Sequence, residues 1–139
     1  MTPLEILRGA YQLIGSRETW TQRTTARRAN GENIAFYAPE AASWCALGAI
    51  FRTAGIGAIP RLRDLPAEVK EAVAELTQAL PPASQAAIAL GHVTMANDHY
   101  GYEVIDRAFY ETIKRLSEQE EIGAESSGRR SVPAVPALT

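Results

Sequence analysis

Leu4, Leu7, Tyr11 and Ile14 recur at three- and four-residue spacing, which lines them up on one face of a helix. The segment Thr2-Pro3-Leu4-Glu5 opens that helix: Thr2 can cap it, Pro3 needs no donor at the first helical position, and Glu5 completes a capping box. Gly15 ends it. From Ser16 to Ala38 the helical period disappears. Asn30-Gly31 lies there between Thr24–Arg28 and Asn33–Tyr37, and Asn-Gly readily takes the positive φ angles of a tight hairpin turn. Two readings stand for this stretch, a small antiparallel β-hairpin and an irregular loop carrying one turn.

A second helix is expected to begin near Pro39-Glu40 or at a Ser43 cap, and to run through Trp44-Cys45-Ala46-Leu47-Gly48-Ala49-Ile50-Phe51 to Gly55. It is apolar nearly all round, as a central, buried helix would be. Gly48 costs about 1 kcal/mol in a helix interior relative to Ala, a cost usually offset where another backbone must come close. A third helix starts at Asp64 or Pro66 and buries Leu65, Val69, Val73, Leu76 and Leu80 before Pro81-Pro82 stops it. A fourth runs from Ala83 to about Met95, and Asn97-Asp98-His99-Tyr100-Gly101 then breaks the pattern. A last helix, Tyr102 to about Glu118, turns Ile105, Phe109, Ile113 and Leu116 inward. Beyond Glu121 the chain is small, Pro-containing and without large aromatics. The expected fold class is therefore mainly α: one compact domain of about five helices over residues 1–121, with a flexible tail over 122–139.

Composition agrees with a single domain. A chain of 139 residues with 46% hydrophobic residues is long enough to form a core without a metal or disulfide staple; at this size folding buries roughly 68% of the unfolded surface. The lone cysteine, Cys45, has no internal disulfide partner, which favours a reducing, cytoplasmic setting. The N-terminal stretch lacks a basic region followed by an apolar run, so neither a signal peptide nor a membrane anchor is expected.

Charge adds an asymmetry. The net charge of -2 is a cancellation, because residues 1–63 carry 8 basic and 4 acidic groups whereas residues 64–121 carry 4 and 11. A basic front with Arg27 and Arg28 could track phosphates while Trp20 stacks on a base. Nucleic-acid binders usually have a strongly basic domain, however, and a pI of about 5.7 weighs against that reading. Oppositely charged halves could also drive self-association.

Few residues suggest chemistry. Cys45 near a helix start could be a thiolate nucleophile, with His92 or His99 as base and Asp98 or Asn97 as orienter. Free cysteine is also among the most buried residue types, and its neighbours Trp44, Ala46 and Leu47 are core-like. Cys45, His92, Asp98 and His99 form neither a CxxC nor an HxxxH pair, so no metal site is expected. No phosphate loop or nucleophile elbow is present, and no cofactor is expected. Asn97 and Asp98 can cap the last helix or form an Asx-turn as readily as serve a site. Trp20 reads as a core or lid aromatic, and Gln22 as a partner for buried backbone or a ligand.

Trp20-Thr21-Gln22, Ala26-Arg27 with Gly31, Trp44-Cys45-Ala46-Leu47-Gly48-Ala49 and Asn97-Asp98 occur in this order between residues 4 and 116. In this the chain resembles an uncharacterised family of small bacterial and phage proteins, a domain of unknown function. The family often follows Asn-Asp with a Pro-Gly-Arg-Thr type turn, where this chain has His99-Tyr100-Gly101. The resemblance implies a compact, mainly helical domain and a mobile-element setting, with no activity or cofactor attached. It singles out Trp20, Gln22, Trp44, Cys45, Asn97 and Asp98. The expected function is that of a small cytosolic interaction or regulatory protein that binds a protein partner. A Cys45-dependent hydrolase or transferase is the alternative, and nucleic-acid binding the third.

Overall fold

The computed structural model describes residues 1–82 and 89–131, with side chains described over 1–82 and 90–123. Among the described residues there are five α-helices: α1 (Pro3–Leu13), α2 (Ala46–Thr53), α3 (Ala67–Thr77), α4 (Ala89–His99) and α5 (Tyr102–Ser131). Two strands of two residues each, β1 (Ala26–Arg27) and β2 (Ser43–Trp44), pair antiparallel. The fold is mainly α, and none of the described helices is long and apolar enough to cross a membrane.

The start of α1 follows from its first residues. The Thr2 hydroxyl accepts from the Glu5 amide at 3.1 Å, and the Glu5 carboxylate accepts from the Thr2 amide at 2.8 Å. The Thr2 amide's hydrogen bond holds the Glu5 carboxyl below its ordinary pKa. Leu4, Ile6, Leu7 and Ala10 are buried, and α1 packs against α2, α3 and α5. Tyr11 stacks on Phe109 of α5 and donates to Asp106 at 2.7 Å. Burial, then that hydrogen bond, pushes its phenol up to about 12. The stripe of α3 is buried as its spacing implies, at Val69, Val73 and Leu76, and Leu65 and Leu80, which flank the helix outside its ends, are buried too.

Four boundaries differ from the sequence reading. The Asn30-Gly31 turn forms, with Gly31 at φ +91° and the Arg28 amide donating to Glu32 at 2.8 Å, and Ile34 donates to Ala26. The strand partner of Ala26–Arg27 is nonetheless Ser43–Trp44 and not the residues just after the turn. Consequently Ser43 is not a helix cap. The second helix begins at Ala46, with Cys45 as its cap. Asn97 and Asp98 belong to the last turn of α4 instead of lying between helices, and neither caps α5. α5 itself continues past Glu118 to Ser131, into the stretch read as a tail. The expected start of the fourth helix at Ala83, and residues 132–139 of the expected tail, lie outside the described residues.

Gly48 supplies the close approach its mid-helix position suggested. A Cβ there would run into the Thr25 carbonyl oxygen, which also accepts from the Cys45 amide at 3.1 Å and so cannot easily yield. The absent side chain thus lets β1's lead-in lie directly on α2. Gly48→Ala is expected to lower stability by about 1–2 kcal/mol, because overpacking against backbone outweighs the helix-propensity gain. Gly57→Ala, into open space, should change it by less than about 0.5 kcal/mol. Urea denaturation of the two variants checks the contrast.

Candidate functional site

The residues that stand out in the sequence meet where α2 begins and α4 ends. Helix ends leave backbone groups without intrahelical partners, and here side chains from distant segments supply them. Asn97 is fully buried. Its Oδ1 accepts from the Trp20 indole at 2.8 Å and from the Ala46 amide, the first of α2, at 3.0 Å. Its Nδ2 donates to the Thr21 carbonyl at 3.0 Å. Two partners that can only donate and one that can only accept fix the orientation of the amide.

Gln22 treats the other helix end in the same way. Its Nε2 donates to the carbonyls of Asn97 and Tyr100, each at 3.0 Å, at the C-terminus of α4. The Arg23 amide then donates to Asp98 Oδ1 at 2.8 Å. Arg23 has a left-handed φ of +68°, which non-glycine residues adopt at a cost. No sequence signal marks that residue.

Cys45 closes the start of α2. Its Sγ accepts from the Gly48 amide at 3.2 Å, and its carbonyl accepts from Ala49 at 2.9 Å. Burial pushes the thiol up, outweighing the Gly48 and Leu47 amides that favour a thiolate. A cavity of about 170 Å³ lies beside it, lined in part by Thr25, Leu47, Thr94, Asn97 and Asp98. Neither histidine lines that cavity or hydrogen-bonds to Cys45. His92 Nε2 instead meets the Pro81 carbonyl at 2.7 Å, and His99 is exposed. The fold therefore brings Cys45, Asn97 and Asp98 together and leaves His92 and His99 apart from them. A protonated thiol without an imidazole neighbour is a poorly activated nucleophile.

The arginines divide as well. Arg27 donates to Thr21 Oγ1 at 2.7 Å, to the Gln22 carbonyl at 3.1 Å and to Asn33 Oδ1 at 2.8 Å, so its guanidinium holds residues 21–33 in shape. Arg28 next to it is exposed. Trp44 is buried, donates to the Phe36 carbonyl at 3.1 Å and lies under the Arg52 guanidinium. Arg52 also donates to the carbonyls of Phe36 and Ala38, a backbone-holding role that its position in an apolar run gave no hint of. Among the described residues, no group of three or more His, Cys, Asp or Glu side chains could hold a metal ion.

Asn97→Ala is expected to cost about 3 kcal/mol, because it strands the Trp20 indole, the Ala46 amide and the Thr21 carbonyl. A urea midpoint near wild type would remove the amide from its central position. Cys45 should react with a thiol reagent at an appreciable rate only after denaturation. The raised thiol also sets a pH dependence: the folded state holds its proton more tightly than an unfolded thiol, which titrates near about 8.5. That contribution is fully present below this pH and is lost as pH rises above it, and Cys45→Ala should flatten the decline. Tyr11 acts in the same direction from about 10 upward, so urea titrations between the two pH values isolate the thiol.

No curated protein and no solved structure matches the chain. The sequence model of a family of unknown function, DUF6197, matches residues 1–115, which take in every helix up to the middle of α5 and both helix-end clusters. The chain belongs to this family of unknown function.

Proposed function

We propose that this is a noncatalytic, cytosolic interaction or regulatory protein, encoded in a phage-related setting, that acts by binding a protein partner. The observation that carries the reading is the connector between α2 and α3. Ile59 is 71% exposed and Leu62 50%, and Arg61 and Arg63 beside them are exposed too. Large apolar side chains this open, interleaved with arginines, have the composition of a binding surface, where Arg and apolar anchors work together. Trp20, Gln22, Cys45 and Asn97, by contrast, have their hydrogen bonds inside the fold. The lone buried cysteine fits a reducing compartment.

The reading predicts that a photo-crosslinking residue at position 59 gives one dominant adduct in cell lysate. Leu62→Asp should abolish it while leaving the circular dichroism spectrum unchanged, since Leu62 is half exposed and its side chain supports no core element. No adduct, or a smear unaffected by Leu62→Asp, would sink the reading.

A further inference from the structure

A second surface is opposite to the connector in charge and has an apolar floor. Where the N-terminus of α1 meets α3 and α5, a groove of about 240 Å³ is floored by Pro3, Leu4 and Leu116 and rimmed by Glu71, Gln119 and Glu120. This volume is below the roughly 300–1,000 Å³ of drug-sized ligand sites. It suits one or two inserted side chains better than a small molecule. The floor is apolar, and two carboxylates stand on the rim. The connector offers the converse, with Ile59 and Leu62 as apolar knobs and Arg61 and Arg63 as cations flanking the second of them.

We propose that the partner of this connector is the groove of a second copy of the same chain. Ile59 and Leu62 then lie on the Leu4–Leu116 floor while Arg61 and Arg63 face Glu71 and Glu120. The inference rests on the binding role assigned to the connector and names its occupant. Charge complementarity carries it: Arg61 and Arg63 stand on the connector and Glu71 and Glu120 at the groove, each pair beside apolar side chains. In a two-fold pair the contact occurs twice, each connector entering the partner's groove, so the assembly closes at two copies. Two contacts of this size make a small interface with solvent-exposed ion pairs. Its association is weak and falls with salt.

Sedimentation velocity of the full chain tests this. The weight-average mass should rise from one copy towards two between about 10 µM and 1 mM protein, a range suited to a small interface. Raising NaCl from about 50 to 500 mM should shift the equilibrium back towards the monomer, as screening requires. Arg61→Glu with Arg63→Glu, and Glu71→Arg with Glu120→Arg, should each stay monomeric. All four side chains are exposed, and none has a hydrogen-bond or ion-pair partner among the described residues, so both variants should keep the fold.

Mixing the two variants is the decisive arm. The charge-reversed connector of one now faces the charge-reversed groove of the other, and the remaining contact has wild-type charges, so a heterodimer should form. Loss of folding or general surface change would not be rescued by mixing. A wild-type chain that stays monomeric at 1 mM, or variants that stay monomeric when mixed, overturns the inference. If the position-59 adduct then persists with a different protein, the binding role survives without self-association. If no adduct forms at all, both fall.

Discussion

One buried amide governs how the helices of this protein meet. Asn97 reaches from the last turn of α4 to the first amide of α2, and on to an indole and a carbonyl in the segment after α1. An apolar side chain in the same place could fill the volume, but it would leave three polar groups without partners. Each such loss costs about 1–3 kcal/mol when the group is buried. Unlike an apolar contact, the amide has direction, so the segment from Trp20 to Arg23 has one register on the helix pair. Gln22 reinforces that register from the segment by donating to the α4 carbonyls, and Asp98 reinforces it from α4 by accepting from the Arg23 amide. The arrangement ties two helix ends together: the N-terminus of α2 is completed by Asn97 of α4, and the C-terminus of α4 by Gln22 of the irregular segment that Asn97 also holds.

What could be read in the sequence was whatever local chemistry decides. The Thr2–Glu5 capping box forms from residues three apart, and the α3 stripe needs only its own period. The Asn30-Gly31 turn is likewise local. The misplacements at Ser43-Trp44 and at Asn97-Asp98 involve partners far along the chain. Ser43-Trp44 reads as a helix start until β1 claims its backbone, and nothing in that dipeptide announces residues 26 and 27. Asn97 looks like a break because a polar residue interrupts an apolar rhythm, yet it sits four residues after buried Val93, at a core position of a continuing helix. Its satisfaction comes from residues about 50 and 76 positions away, beyond any sequence window.

The same distinction applies to the site residues. Trp20, Gln22, Trp44, Cys45, Asn97 and Asp98 stand out as a set through the resemblance, but their types do not say whether the region binds a ligand or completes a helix end. Within the fold each of these polar atoms has a definite partner. Cys45 Sγ accepts an amide, Gln22 Nε2 donates to carbonyls, and both oxygen lone-pair directions of Asn97 Oδ1 have donors. Polar groups engaged in this way are expensive to redirect towards a passing molecule.

Charge asymmetry changes meaning under the same scrutiny. The basic excess of the first 63 residues is not one uniform surface. Arg27 and Arg52 spend their guanidinium groups on carbonyls and side chains within the fold, Arg17 pairs with Glu103, and Arg8 donates to Ser117. A cation bound to its own chain contributes little to steering a partner, because its field is already matched nearby. Arg61 and Arg63, like Arg23 and Arg28, have no such internal partner among the described residues, and they stand beside two exposed aliphatic side chains, Ile59 and Leu62. Net charge therefore overstates the basic face and misplaces it. Of the four arginines of this half whose side chains have no partner among the described residues, Arg61 and Arg63 lie on the irregular connector between α2 and α3 and Arg23 and Arg28 lie on the segment after α1.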